Sequence, residues 1–330
     1  MRTMKTIGLI CGGLSSEFEI SVKSARNIYK NLPDDYSKYL VFLEKTGWSI
    51  EVDGKKLPFD ERSFTFELPS GDQCRIDLCI VYIHGDPGEN GKVQAYLDMI
   101  GVPYVNSGAL ASELSFDKWY CNQFLRGFGI HVAKSIYLKS MNDLVDEGAV
   151  VKELGLPIFV KPCDSGSSYG IAKVKAESEL KAAVEYAFKE GRTVVLEAFL
   201  DGTEVTCGVY RNARGTQALP VTEIVTGNDF FDYEAKYNGA SEEITPARIS
   251  DEAYKHVQKT AAEVYDLLQL RSVARIDFML VNDIPYVIEV NTTPGFSDAS
   301  IVPKMLHCAG ISTSQFWQEI IEVEILDITK

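Results

Sequence analysis

Short apolar runs alternate with amphipathic stretches along the first third of this 330-residue chain. Residues 6–11 (TIGLIC), 39–44 (YLVFLE) and 76–83 (IDLCIVYI) are nearly unbroken in hydrophobicity, the pattern of strands covered on both faces. Between them, residues 12–32 read as a glycine turn opening a helix, 93–101 as a second helix and 102–107 (VPYVNS) as a further strand. Strand–helix–strand alternation predicts a parallel sheet with helices on both sides. The stretch 51–73 is less regular and predicts a small hairpin excursion.

From about Ser115 the pattern changes. Residues 115–130 predict one helix and 156–162 a strand, followed by a Gly/Ser loop entering another strand by 174. Residues 177–191 form an amphipathic helical pattern closed by Gly191, and 194–200 the strand that leaves this part. The last third holds VTCGVY (205–210), a polar-aromatic loop over 226–239, a helix over 251–270, a hairpin over 272–291 and a terminal helix near 314–326. The fold class is α/β with α+β, in three segments: 1–114 as an N-terminal parallel-sheet domain, 115–197 as a small central domain, and 198–330 as a larger C-terminal domain.

The hairpin carries the first chemical signal. Side chains alternate along a strand, so Arg275 and Asp277 share one face of SVARIDFML, and Glu289 and Asn291 share one face of YVIEVN. Ile276, Phe278 and Leu280, with Tyr286, Ile288 and Val290, supply the opposite, apolar face. Two carboxylates and an amide are hard oxygen donors of the kind Mg²⁺ takes, although a half-exposed hairpin with polar residues facing water reads the same way. The loop TTPGFS (292–297) directly after them offers backbone N–H groups beside such a site.

Composition narrows the partners. With 45% hydrophobic and 24% charged residues the chain is ordinary globular material. A net charge of −14 and a pI near 4.9 argue against nucleic acid and anionic membranes, and require local Lys or Arg wherever a nucleotide binds. The seven cysteines form no CxxC or paired framework, the usage of reduced thiols in the cytoplasm. The chain enters a strand straight after Met1, with no signal peptide, and no apolar run approaches the ~20 residues that span a bilayer.

Arg275-x-Asp277 followed by Glu289-x-Asn291-x-x-Pro294-Gly295 resembles the C-terminal signature of the ATP-grasp carboxylate–amine ligases, and more narrowly that of the D-alanine–D-alanine ligase family. The resemblance covers roughly residues 5–326 and implies a three-domain ATP-grasp architecture with ATP held between the last two domains. It implies Asp277, Glu289 and Asn291 as ligands of two Mg²⁺ ions bridged by Glu289, with Mn²⁺ as an alternative. Arg275 and the Gly295 N–H form the oxyanion hole in that pattern.

The other motifs take their roles from the same resemblance. GGLSSEFEIS (12–21) lacks the GxGxxG of a dinucleotide fingerprint. Read locally it is a turn with Ser15 or Ser16 capping a helix; read as the family pattern, Glu17 meets the ammonium of the first D-alanine. HGDPGENG (84–91) resembles the family's HGxxGEDG, with His84 near that substrate's carboxylate and Asn90 a departure that shapes the loop. Lys118 and Lys161 match the ATP-binding lysines. Ser167 and Ser168 lie in the phosphate-cradling loop SGSSYG, and Glu197, Leu200 and Glu204 match the adenine and ribose positions. In the loop FFDYEAKYNG, Lys236 matches a γ-phosphate contact and Tyr237 a partner of Ser167; this Lys-Tyr pair implies an amine as second substrate. Ser300 matches the residue that holds the second carboxylate.

The implied reaction joins two D-alanines through an acyl phosphate, in a cytoplasmic homodimer with no nucleic-acid or membrane partner. Two other readings stay open at this point. One is an ATP-grasp ligase for other amino acid pairs, which would differ at Glu17, His84, Tyr237 and Ser300; the other is a non-catalytic nucleotide-binding protein, which would have lost metal ligands or Arg275.

Overall fold

The computed structural model describes residues 6–166, 169–226 and 241–328. The first part runs β1 (Thr6–Gly12), α1 (Phe18–Asn31), β2 (Ser37–Glu44), β3 (Gly47–Val52), β4 (Lys55–Pro58), β5 (Thr65–Glu67), β6 (Gln73–Arg75), β7 (Leu78–Val81), α2 (Lys92–Ile100) and β8 (Tyr104–Val105). Its main sheet has the order β4-β3-β2-β1-β7-β8, parallel from β2 through β8 and antiparallel at the β3 and β4 edge. The predicted excursion is therefore two elements, the antiparallel edge and the separate β5–β6 pair. Strand β1 explains its own apolar run: Ile7, Leu9 and Cys11 pack toward α1, while Ile10 joins a second core with Val41, Val81 and Leu97 on the other side.

The second part contains α3 (Ala109–Phe116), α4 (Lys118–Gly127), β9 (Ser135–Leu138), α5 (Glu147–Leu154), β10 (Ile158–Pro162), β11 (Ala172–Val174), α6 (Leu180–Glu190) and β12 (Val194–Ala198). Where the sequence predicts one helix over 115–130, the structure has a break at Asp117. That residue is extended and its carboxylate accepts from the Tyr120 N–H, which ends one helix and caps the next. The antiparallel sheet β11-β10-β12-β9 buries Ile158, Val160, Val194 and Leu196 against α5 and α6. By alternation, Phe159, Lys161 and Glu197 occupy the opposite face.

The last part contains β13 (Thr203–Asn212), β14 (Gly215–Ala218), β15 (Thr222–Thr226), β16 (Ser241–Ile244), α7 (Asp251–Leu267), β17 (Val273–Val281), β18 (Ile284–Asn291), α8 (Ile301–Cys308) and α9 (Thr313–Ile328). The sheet runs β16-β15-β13-β17-β18, with β14 on β13. Val205, Cys207, Ile276, Phe278 and Val287 face α7 and α4. Helices α8 and α9 do something else: Met305, Phe316, Trp317 and Ile320 share one core with Ile7, Leu9, Phe42, Ile80 and Tyr82 of the first sheet. Full burial of each such side chain contributes about 1.5–3 kcal/mol, so the two ends of the chain stabilise each other. Among the described residues no helix is long and apolar enough to cross a membrane.

One expectation for the hairpin is corrected. The predicted faces hold on β17, but on β18 it is Val287 and Val290 that are buried, while Tyr286 and Ile288 are not. Register explains it: Asp277 pairs with Glu289 but Phe278 pairs with Val287, leaving Ile288 as the extra residue of a bulge that shifts the alternation by one.

Candidate functional site

The bulge leaves the polar pairs aligned. Arg275 sits opposite Asn291 and Asp277 opposite Glu289. Arg275 grips Asp277 with two hydrogen bonds, Nε to Oδ1 and Nη2 to Oδ2, both 2.8 Å. Thr206, the β13 neighbour of Asp277 in register, donates to Asp277 Oδ1 at 2.6 Å. Asn291 Nδ2 donates to Asp277 Oδ2 at 3.1 Å and to the Arg275 carbonyl at 3.3 Å, which directs the side-chain oxygen elsewhere. The sequence reading missed Thr206, whose signal was a hydroxyl inside the stretch VTCGVY (205–210).

Two cavities open on either side of this hairpin. The first is lined by Phe159, Lys161 and Glu197 of the central sheet, by Leu200 and Glu204, by Met279, and by Ile288, which the bulge turns into it. Lys161 Nζ lies 2.7 Å from Glu197 Oε2, and Asn122 Nδ2 donates to Glu197 Oε1 at 3.0 Å. Glu197 is 4% exposed; with its carboxylate occupied, its backbone is what remains for a nucleotide. Lys118 reaches Glu289 Oε1 at 3.0 Å and the Ser165 carbonyl at 2.8 Å. Burial draws the Lys118 ammonium down, but the Glu289 carboxylate outweighs it and leaves the group above its ordinary value. Both lysines that the sequence suggests for ATP, Lys118 and Lys161, are buried and line this first cavity.

The second cavity gathers Glu17, His84, Arg275, Gly295 and Ser300, five residues from three distant stretches of chain, together with Glu89 and Asn291. Glu17 is the residue just before helix α1, and no side chain caps that helix. The expected serine cap is corrected: Ser15 Oγ donates to the His84 carbonyl at 2.8 Å and accepts from the Glu17 N–H, tying the glycine turn to the HGDPG loop. Gly12 and Gly13 both adopt positive φ (91° and 105°) in that turn, a region open to glycine. The Gly166 backbone lies against Glu17 Oε2. Asn90 donates to Asp86 at 2.5 Å, the loop-shaping part expected of it.

His84 is 5% exposed, with Nε2 3.1 Å from Ser24 Oγ and the Thr293 backbone beside the ring. Burial holds its pKa below the usual imidazole range, with Glu17 pulling upward and Arg275 downward. Glu89, which the sequence reading passed over, accepts from the Gly85 N–H at 2.8 Å. Burial, then the nearby Glu17 charge, push its carboxyl up to about 7. Its signal was an acidic residue inside a glycine-punctuated loop at a strand end. Ser300 begins α8, and its hydroxyl accepts from the Ser297 N–H at 2.9 Å. A Cβ on Gly295 would stand 3.1 Å from Ser300 Oγ, so glycine keeps that backbone open.

Ser167, Ser168, Lys236 and Tyr237 lie outside the described residues. Asp277, Glu289 and Asn291 fit a hard divalent cation: two anionic oxygens in direct cross-strand register and an amide oxygen, on the wall between the cavities.

Comparison with known proteins gives a consistent result across the chain. Residues 6–107 match the family model described as D-ala D-ala ligase N-terminus, and residues 124–322 that described as D-ala D-ala ligase C-terminus. A D-alanine–D-alanine ligase of Parabacteroides distasonis is 44% identical over 324 residues, covering 97% of this chain and 98% of that protein. The crystal structure of D-alanyl-alanine synthetase A from Vibrio cholerae aligns with a TM-score of 0.87 at 30% identity, covering 99% of this chain and 100% of that one. The D-alanine–D-alanine ligase from Bacillus anthracis, crystallised with ATP, aligns with a TM-score of 0.78 at 30% identity over 98% and 99% of the two chains.

Proposed function

The chain belongs to the D-alanine–D-alanine ligase family, ATP-dependent enzymes that make D-alanyl-D-alanine for peptidoglycan, and we propose that its two cavities divide that reaction between nucleotide and amino acids. The observation that carries this reading is the position of Glu289, which lines both cavities. A γ-phosphate reaching from the first cavity meets a carboxylate held in the second beside that residue.

The reaction has two steps. The carboxylate of the first D-alanine attacks the γ-phosphorus of ATP, releasing ADP and forming an acyl phosphate. The amine of the second D-alanine then attacks the acyl carbon, and phosphate leaves. Phosphoryl transfer asks the protein for positioning and charge neutralisation. Lys118 and Lys161 supply positive charge in an otherwise acidic chain, and Lys236 is assigned to the γ-phosphate. Asp277, Glu289 and Asn291 would hold Mg²⁺, which would add neutralisation at the phosphate oxygens. Glu197, Leu200 and Glu204 take the adenosine, and Ser167 and Ser168 the phosphates. Glu17 pairs with the first ammonium and Ser300 with the second carboxylate, and Tyr237 and Ser167 are assigned to act together. Arg275 and the Gly295 N–H face the oxyanion of the tetrahedral intermediate.

The segments 1–114, 115–197 and 198–330 correspond in this reading to first-substrate, lid and metal-bearing parts. A cytoplasmic homodimer is part of this proposal; the seven free thiols suit a reducing compartment, and sedimentation tests the dimer. The decisive experiment follows phosphate release from Mg-ATP with D-alanine, L-alanine, D-serine or D-lactate, with mass detection of product. A dipeptide mass with D-alanine alone supports the reading; turnover only with another acceptor, or none, overturns it.

A further inference from the structure

Ser24 has no place in the substrate reading, yet it touches two of its parts. It lies on α1, 1% exposed. Its hydroxyl oxygen accepts from the Phe296 N–H at 3.1 Å and lies 3.1 Å from His84 Nε2. A serine hydroxyl has one proton. Among the hydrogen bonds of the described residues Nε2 is the acceptor within reach of that proton, which makes Nε2 the acceptor nitrogen of a neutral ring. The ring's own N–H is then left to face the Thr293 backbone beside it. Thr293, His84, Ser24 and Phe296 thus lie in succession around the stretch Pro294–Gly295.

The same short stretch is held at two further points from the first sheet and its helix. Tyr82 Oη donates to the Pro294 carbonyl at 2.6 Å, and Asn27 Nδ2 donates to the Phe296 carbonyl at 2.7 Å. A loop free to relax needs no such set of buried anchors.

We propose that Ser24 is a positioning residue for the ligase reaction: by fixing His84 as a neutral ring with Nε2 accepting, it clamps the Thr293–Phe296 backbone and aims the Gly295 N–H at the reacting carbonyl. The proposal rests on the function proposed above. It also gives His84 a task within the protein, alongside its place in the wall of the second cavity.

The test begins with the unaltered protein. The chain has 4 histidines, and long-range ¹H–¹⁵N spectra, assigned with His84→Gln, report which nitrogen of His84 carries the proton. The expected result is a neutral ring protonated at Nδ1. Ser24→Ala should shift that tautomer and lower kcat by roughly 10- to 100-fold, the scale of a slightly misplaced catalytic group, with KM for ATP unchanged. Ser24→Thr, which keeps the hydroxyl, should recover most of the rate. A ring protonated at Nε2 in the unaltered protein, or a folded Ser24→Ala enzyme within about twofold of the normal kcat, overturns the proposal. If Ser24→Ala does not fold, the tautomer and Ser24→Thr decide. Absence of ligase turnover in the unaltered protein refutes the functional reading instead and leaves the tautomer result standing.

Discussion

Arg275 and Asp277, two residues apart on one strand, face each other as a bidentate ion pair with both N–O distances at 2.8 Å. One partner is assigned to the oxyanion and the other to the metal, so the pair couples the two halves of the chemistry. Asp277→Asn removes an anionic ligand and leaves the guanidinium without its counter-charge. The expected outcome is a loss of activity of about 10²–10³-fold and a higher Mg²⁺ concentration for half-activation, read by phosphate release across a Mg²⁺ titration. Unchanged rate and Mg²⁺ dependence would remove both residues from their roles.

Lys161 and Glu197 form a buried pair, their side chains 11% and 6% exposed. Removing one charge from such a pair costs about 3–5 kcal/mol, whereas replacing both by apolar groups is often neutral. Glu197→Leu alone should therefore unfold at markedly lower urea than the parent. The double variant Lys161→Met/Glu197→Leu should regain stability without regaining ATP affinity. Urea melts and calorimetric ATP titration separate these effects, and a stable double variant that binds ATP normally would show that Lys161 is structural only.

Glu89 gives a pH dependence of stated sign. Its carboxyl is raised from 4.5 to about 7 in the folded protein. Below 4.5 it is protonated in folded and unfolded chains alike; between that value and 7 the unfolded chain ionises it and the folded chain resists. Its contribution to stability is thus lost as pH rises through this window, at up to about 1.4 kcal/mol per pH unit. Glu89→Gln stays neutral and keeps an acceptor for the Gly85 N–H. The melting temperature of Glu89→Gln relative to the parent should climb between pH 5 and 8, and a flat difference would refute the shift.

Trp317 is fully buried, edge-on to Phe296 at 5.1 Å and to Tyr82 at 6.0 Å between ring centroids. Trp317→Ala should cost about 3–5 kcal/mol. Because Phe296 ends the stretch holding Gly295, kcat should fall as well, even where the variant is fully folded. Denaturant melts beside steady-state kinetics check both, and destabilisation with an unaffected kcat would uncouple the helix from the site.

The sequence made the site legible where chemistry forces a spacing. Arg275, Asp277, Glu289 and Asn291 were readable because period two places them on one sheet face, and the register pairs them as that reading requires. The bulge at Ile288 was not readable, since nothing local distinguishes a residue that is extra in a ladder from one that is paired. Asp117 as a helix break was masked by the helical pattern on both sides. Contacts across the molecule left no local trace: Ser24 near His84, Asn122 on Glu197 and Thr206 on Asp277 are ordinary polar residues until the fold brings their partners 60, 75 and 71 positions distant. Helix α8 went unassigned because Pro303 stands in its first turn, a position that proline tolerates.

The shared core of the first sheet and the last helix bears on how the chain is made. Synthesis finishes β8 at Val105, but α9 begins only at Thr313. At roughly 5–20 residues per second, ten seconds or more separate the two on the ribosome. Throughout that interval Leu9, Phe42, Ile80 and Tyr82 lack the cover that Phe316, Trp317 and Ile320 will give them. The nascent N-terminal third therefore emerges as a client for chaperones, and ribosome-stalled chains ending before Thr313 should be cleaved by protease within residues 6–107 where the finished protein resists.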